Sequence, residues 1–374
     1  MSDDAAPPIS PYQGLEARAF WRAGVVEAGA YPPPDIYRPK FDIYKGMAVF
    51  TAGSCFAQHV GRTLSQAGYN VIDTEPLPKS VPAEIANRHG YGLYCARFGN
   101  IYTTRQFRQL LEEAFGSFVP ADAVWERDGS FYDALRPNMT PGGLPSADLV
   151  REARASHLRA VQEAVAQANM VVFTLGLTEA WVHSESGTVY PTAPGTIAGR
   201  VDRQVHSFVN FRAAEIRRDF LAVRKMFQAA NPDVKFLLTV SPVPLTATAS
   251  GDHVLPATIY SKSVLRTVAG ELSEDFDDID YFPSFEIVSS HPSAGKFFEP
   301  NMRTVRPKAV RQVMRAFLTA HGDLPEAGKP GAEKTEKELR RERRAARRAR
   351  LAERDKAQED AVVCEEELLE AFRK

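Results

Sequence analysis

Met47-Ala-Val-Phe-Thr-Ala-Gly53-Ser54-Cys55-Phe56-Ala57 is the stretch on which the fold turns. Its first half is a short apolar run closed by glycine, and from Phe56 to Ala67 the apolar positions recur at helical spacing. The order is strand, tight turn, helix. The same unit returns downstream without a sequence repeat. An amphipathic helix over Asp148 to Ala168 feeds the apolar run Met170 to Leu175. A second helix, Ala213 to Ala230, closes at Asn231-Pro232 and leads into Lys235 to Val240. A third, Tyr260 to Asp275, precedes Ile279 to Phe282. Helices alternating with short continuous apolar runs predict a three-layer α/β/α sandwich around a central, mostly parallel sheet. Ligands of such sheets bind at the carboxyl ends of the strands, which here means just after Thr51, Leu175, Val240 and Phe282.

Outside this alternation the chain changes character. Residues 1–46 carry Pro7, Pro8, Pro11, Pro32, Pro33, Pro34 and Pro39 with the aromatic anchors Phe20, Trp21 and Tyr37, and read as an irregular arm packed on the domain. The domain itself is expected over residues 47–321. Residues 322–374 read as a charged helical or disordered tail. In it a basic block, Arg340, Arg341, Arg343, Arg344, Arg347, Arg348 and Arg350, precedes an acidic one, Glu359, Asp360, Glu365, Glu366, Glu367 and Glu370.

The 374 residues are 44% hydrophobic and 25% charged with a net charge of −1, so no global electrostatic attraction to nucleic acid, anionic membrane or acidic substrate follows. Nucleic acid is not an expected partner, the Arg-rich tail being the one place that could serve it, and the absence of aromatic side chains among those arginines argues against base stacking there. No apolar run reaches the length of a membrane span, and the acidic start, Met1-Ser-Asp-Asp, is unlike a secretory signal. A cytoplasmic chain is the expectation. Cys55, Cys95 and Cys364 form neither an even set nor a zinc-ligand spacing, so neither a disulfide framework nor a metal nor another cofactor is expected.

Ser54 follows a buried strand and a glycine, and stands at a helix N-terminus, where backbone N–H groups and the helix dipole stabilise a developing negative charge. That position suits a nucleophile. It equally suits a helix cap, since serine is among the preferred capping residues.

A wider pattern bears on the choice. Gly53-Ser54-Cys55-Phe56-Ala57 spells the motif for which the GSCFA family is named. It is followed in order by Phe98-Gly-Asn-Ile-Tyr-Thr-Thr104, Thr174-Leu-Gly-Leu-Thr-Glu-Ala-Trp181, Leu238-Thr-Val-Ser-Pro-Val-Pro-Leu245, Tyr260-Ser-Lys-Ser263 and Tyr281-Phe-Pro-Ser-Phe-Glu286. On these residues the chain resembles GSCFA proteins, a branch of the SGNH (GDSL-like) esterases. The resemblance implies an SGNH-hydrolase-like fold and Ser54 as nucleophile. It implies oxyanion donors at the Ser54 N–H, at Gly99 or Asn100, and at Thr178, which stands where those esterases carry asparagine. It further implies a small-molecule or glycan ester as substrate, commonly an O-acetyl ester.

The general base departs from that pattern. SGNH esterases carry Asp-x-x-His near the end of the domain, whereas Phe297-Phe-Glu-Pro-Asn-Met-Arg-Thr-Val305 has no histidine and offers Asn301-x-x-Thr304 in its place. His253, in the loop after Val240, is the first replacement. His291 follows as second choice and as a substrate contact, with His183 and His206 behind it. Glu179 and Lys262 are further substrate-binding candidates, although Glu179 with Trp181 also suits the start of a short helix after the strand, and Lys262 suits a solvated helix charge. An esterase or acyltransferase built on Ser54 is therefore the leading expectation. The alternatives are a noncatalytic glycan- or ligand-binding protein that kept the cleft without the base, or an adaptor working through its basic tail.

Overall fold

In the computed structural model, which describes residues 10–80, 82, 85–323 and 364–373, the run after Met47 forms β1 (Ala48–Gly53) and continues into α1 (Cys55–Gln66) and β2 (Asn70–Val71). Next come α2 (Thr104–Ala114), the hairpin of β3 (Val124–Arg127) and β4 (Ser130–Asp133), α3 (Ala147–Gln167) and β5 (Met170–Leu175). An antiparallel excursion of β6 (Glu179–His183), β7 (Val189–Tyr190) and β8 (His206–Asn210) precedes α4 (Ala213–Ala230) and β9 (Lys235–Val240). The domain closes with α5 (Val254–Asp275), β10 (Ile279–Tyr281), α6 (Ser284–Ser289) and α7 (Pro307–Ala320).

The central sheet has the order β10-β9-β5-β1-β2 and every pairing in it is parallel. Side chains of its inner strands alternate between two cores, as the two-residue period of a strand requires. Val49, Met170, Val172 and Leu237 pack with Phe56, Val60 and Leu64 of α1 and with α7, while Phe50, Val171, Phe173, Phe236 and Leu238 pack with α2, α3, α4 and α5. This is the three-layer α/β/α sandwich. Because β2 lies on one side of β1 and β5, β9 and β10 on the other, the strand order reverses direction between β1 and β5. The chain leaves β1 for one face of the sheet and, after the β6–β8 excursion, leaves β5 for the other, which opens a crevice at their carboxyl ends.

Several segments differ from the sequence reading. Glu179 and Trp181 lie on β6 rather than on a short helix, because β6 finds partners in β7 and β8. Helix α5 begins six residues before Tyr260, with His253 as its N-cap, and this turns Lys262 inward. In the N-terminal arm, Tyr37 and Ile43 are buried in the core on the α1 face, and the Tyr31 hydroxyl donates to the Ile287 carbonyl at 2.7 Å.

Of the expected tail, residues 324–363, including the whole arginine block, lie outside the described residues. Residues 365–372 form a 3-10 helix whose Glu365 and Glu366 are buried. Among the described residues no helix is long and apolar enough to cross a membrane.

Candidate active site

Ser54 sits at the crevice between β1 and β5. Gly53 before it has φ +139°, and a Cβ there would stand 2.4 Å from the Thr174 carbonyl oxygen, so only glycine lets the two strands approach so closely. The Ser54 N–H donates to that carbonyl at 3.2 Å, extending the ladder by one residue. The backbone group expected as an oxyanion donor is thus already engaged. Ser54 is the N-cap of α1, yet its side chain makes no capping hydrogen bond. Its Oγ is buried and has no partner among the described residues. Gly176, just past β5, faces it, and a Cβ there would meet Ser54 Cβ at 2.9 Å.

The loop from Phe98 to Thr103 spans the crevice. Ile101 N–H donates to Gly53 O at 2.8 Å, and Tyr102 O accepts from Leu177 N–H at 2.9 Å, tying the loop to the ends of both strands. Gln106 clamps it from α2, its amide donating to Asn100 O and accepting from Tyr102 N–H, both at 2.9 Å. The Asn100 side chain is oriented by its surroundings. Gln58 Nε2 donates to its Oδ1 at 2.9 Å and Tyr94 OH at 2.5 Å, which directs Nδ2 away from them. That Nδ2 donates to a carboxylate oxygen, Oε2 of Glu365, which also accepts from Tyr102 OH at 2.7 Å. Of the two donors the resemblance proposed here, Asn100 presents its amide to an anion. Gly99, in the left-handed conformation at φ +77°, leaves room beside the same carboxylate.

Lys262 is buried rather than solvated. It shares the inner face of α5 with Thr258, Ser261 and Leu265, and its Nζ donates to the Gly176 carbonyl at 2.6 Å. Gly176 therefore contacts both Ser54 and the Lys262 amine. Burial lowers the Lys262 pKa to about 8, held up by the Glu366 carboxylate and pushed down by Arg303. Arg303 comes from the stretch where the resemblance expects Asp-x-x-His. Asn301 Oδ1 accepts from the N–H groups of Arg303 and Thr304 at 3.0 and 2.9 Å, a turn that presents Arg303 towards the site. A cation stands in this block instead of an imidazole.

The other candidates lie elsewhere or do other work. Thr178 gives its N–H to Ser261 Oγ at 3.1 Å, and its own hydroxyl is buried without a partner among the described residues. Glu179 lines a cavity whose wall also includes Tyr102, Leu177 and Glu366, accepts from Thr248 Oγ1 at 2.8 Å, and has its carboxyl pKa raised by burial. His253 is exposed and caps α5, its Nδ1 accepting from Leu255 N–H at 3.1 Å. His291 is exposed and stacks on Trp21 of the arm, ring centroids 5.2 Å apart. His183 and His206 flank each other on β6 and β8 near Asp122. Among the described residues no histidine lines the cavity. His253→Ala is expected to cost about 1 kcal/mol of stability as a lost cap, with ester turnover unchanged. Denaturant titration beside a kinetic assay checks this, and a loss of turnover of about two orders of magnitude would reinstate the imidazole as base.

The cavity has a volume of about 1010 Å³ and a mostly apolar wall that includes Leu177, Trp181, Phe208 and Leu245, with Tyr102 and Glu179 among its polar groups. Among the described residues no three His, Cys, Asp or Glu side chains gather as metal ligands. Gln58, Tyr94, Arg303 and Glu365 were not singled out from sequence, since their roles rest on contacts between distant segments. Gln106 did carry a local signal: Thr103-x-x-Gln106 is a helix-start pattern, and Thr103 Oγ1 accepts from Gln106 N–H at 3.1 Å.

A parallel α/β sandwich with a buried serine at its strand-order reversal is thus the class that fold and site define. The family model described as GSCFA family matches residues 48–317, from the first residue of β1 into α7. The chain belongs to the GSCFA family. No curated protein and no solved structure matches it.

Proposed function

We propose that the chain is an SGNH-type serine esterase or acyltransferase in which Ser54 is the nucleophile and Lys262, rather than a histidine, is the general base. The observation that carries this reading is the Ser54 hydroxyl. It is buried at a helix N-terminus, does not cap that helix, and faces Gly176 across the crevice. A buried hydroxyl without a partner costs about 1–3 kcal/mol; the Thr51, Thr174 and Thr178 hydroxyls share that state, and Ser54 differs from them in standing at a helix N-terminus.

In the proposed reaction the neutral Lys262 amine takes the hydroxyl proton as Oγ bonds to the acyl carbonyl carbon. The oxygen of the tetrahedral intermediate accepts from Asn100 Nδ2 and Tyr102 OH, the two groups that hold the Glu365 carboxylate oxygen in the structure. Collapse breaks the ester C–O bond, and the departing alcohol takes the proton back from Lys262. Water or a second alcohol then attacks the acyl-serine by the same route in reverse. The apolar wall with Trp181 and Phe208 suits the acyl group or a sugar face, which keeps a glycan O-acyl ester as the substrate class.

A noncatalytic ligand-binding role is the second reading, favoured by the absence of histidine from the cavity wall among the described residues. Labelling by a fluorophosphonate separates the two. It is run on the full chain and on the chain carrying Glu365→Ala and Glu366→Ala, which frees the donors. Covalent modification at Ser54 in the substituted chain is the expected result, and no modification in either chain would leave the binding reading.

A further inference from the structure

The C-terminal segment holds on to the site at four adjacent residues. Cys55, next to Ser54, interacts with Cys364, which raises the Cys55 thiol pKa and lowers that of Cys364, and Arg303 Nη2 donates to the Cys364 sulfur at 3.6 Å. Glu365 takes the Asn100 and Tyr102 donors. Glu366 accepts from Arg303 Nη2 at 3.1 Å in a pair whose side chains are only 14% and 10% exposed, and Glu367 meets Arg303 Nη1 at 3.3 Å. Farther along, Leu369 and Phe372 complete the cavity wall.

Two buried carboxylates in succession are unusual unless each has a partner, because removing a carboxylate from water costs several kcal/mol. Here each one has a partner, and every partner comes from the domain. We propose that residues 364–373 are a built-in plug of the Ser54 site, and that the site recognises an acidic peptide segment through its two adjacent carboxylates, Asn100 and Tyr102 holding the first and Arg303 the second.

Chain length permits this docking within one molecule. Forty residues, 324–363, separate the end of the domain from the plug, and at up to about 3.3–3.6 Å per residue they have ample reach across a domain of this size. Joining the segment to the domain in one chain also raises its local concentration at the site. A segment that binds only weakly as a free peptide therefore still fills the site in cis. An acidic ligand must compete with that local concentration, which sets a threshold for opening the site.

The regulatory part of the inference rests on the esterase reading, whereas the binding part does not, and the test separates them. The probe is a fluorescent synthetic peptide with the sequence of Val363–Lys374. Its anisotropy is followed against the full chain and against the full chain carrying Glu365→Ala and Glu366→Ala, whose own plug is weakened. The peptide is expected to bind the substituted chain at least about tenfold more tightly than the native one. Binding should fall by a similar factor when the two leading glutamates of the peptide are glutamine, or when Arg303→Gln is added to the chain. Hydrogen exchange within residues 365–373 of the native chain provides a readout that needs no added ligand: these amides should be slow and should become fast in the Glu365→Ala/Glu366→Ala chain. Equal peptide binding to both chains, binding to neither, or equal binding of the glutamine peptide would overturn the plug. Adding Ser54→Ala should leave peptide binding unaltered. Peptide competition without any fluorophosphonate labelling would therefore remove the esterase and keep the acidic-peptide site. If both readings hold, the substituted chain labels faster than the native one.

Discussion

Ser54→Ala is expected to lower ester turnover by a factor of about a thousand or more, and to abolish fluorophosphonate labelling, while the protein melts at or above the native temperature. The two halves of that expectation have one cause. The Ser54 hydroxyl makes no hydrogen bond among the described residues and does not cap α1, so alanine removes a buried unsatisfied group and no interaction. A serine that served as a cap would behave in the opposite way. Its loss would cost about 1 kcal/mol, a fall of roughly 2–4 °C in a domain of this size, with activity kept. Turnover and thermal unfolding are measured together in the Glu365→Ala/Glu366→Ala background, where the plug does not mask the site. A variant that melts lower yet hydrolyses as well as its parent would return Ser54 to the role of a cap.

Lys262→Met is expected to reduce turnover by about two to four orders of magnitude, the scale of a lost general base. Methionine keeps the length of the side chain and removes the amine. The sign of the pH dependence separates a base from a binding cation. With burial setting the Lys262 pKa at about 8, a base works only when neutral, so turnover should rise as pH increases through about 8. A lysine that bound an anionic substrate would give a rate falling over the same interval. The neighbouring charges that face the amine add a second test. Arg303 lowers the Lys262 pKa, so Arg303→Gln should move the rising limb to higher pH. Lys262→Arg should not rescue, because a guanidinium does not lose its proton in this range. Turnover in Lys262→Met that stays within a fewfold of its parent, with the same rising limb, would place the base elsewhere.

Much of the frame was legible from residue order. Apolar runs near Met47, Met170, Lys235 and Ile279, each entered or left through a helix, determined a parallel sheet covered on both faces, because buried parallel strands need apolar side chains on both sides and long crossovers between them. The same reasoning directed attention to the strand ends, and the motif there marked Ser54, Asn100 and the Gly176 turn. Lys262 was visible but misjudged. With the start of α5 taken at Tyr260, the lysine fell in an exposed first turn, whereas a helix capped at His253 puts residues 258, 261, 262 and 265 on one buried face.

Tertiary structure alone decided which groups meet. Gln58 and Tyr94 orient an asparagine 42 and 6 residues away, and Arg303 reaches the site from a block in which the resemblance sought a histidine. Glu365 crosses 265 residues to reach Asn100. In sequence, Glu365 and Glu366 belong to an acidic run that suits a solvated tail, because local pattern carries the cost of burying a carboxylate but not the donors that offset it. Those donors come from a loop and a turn far apart in the chain, and only the fold brings them within hydrogen-bonding distance.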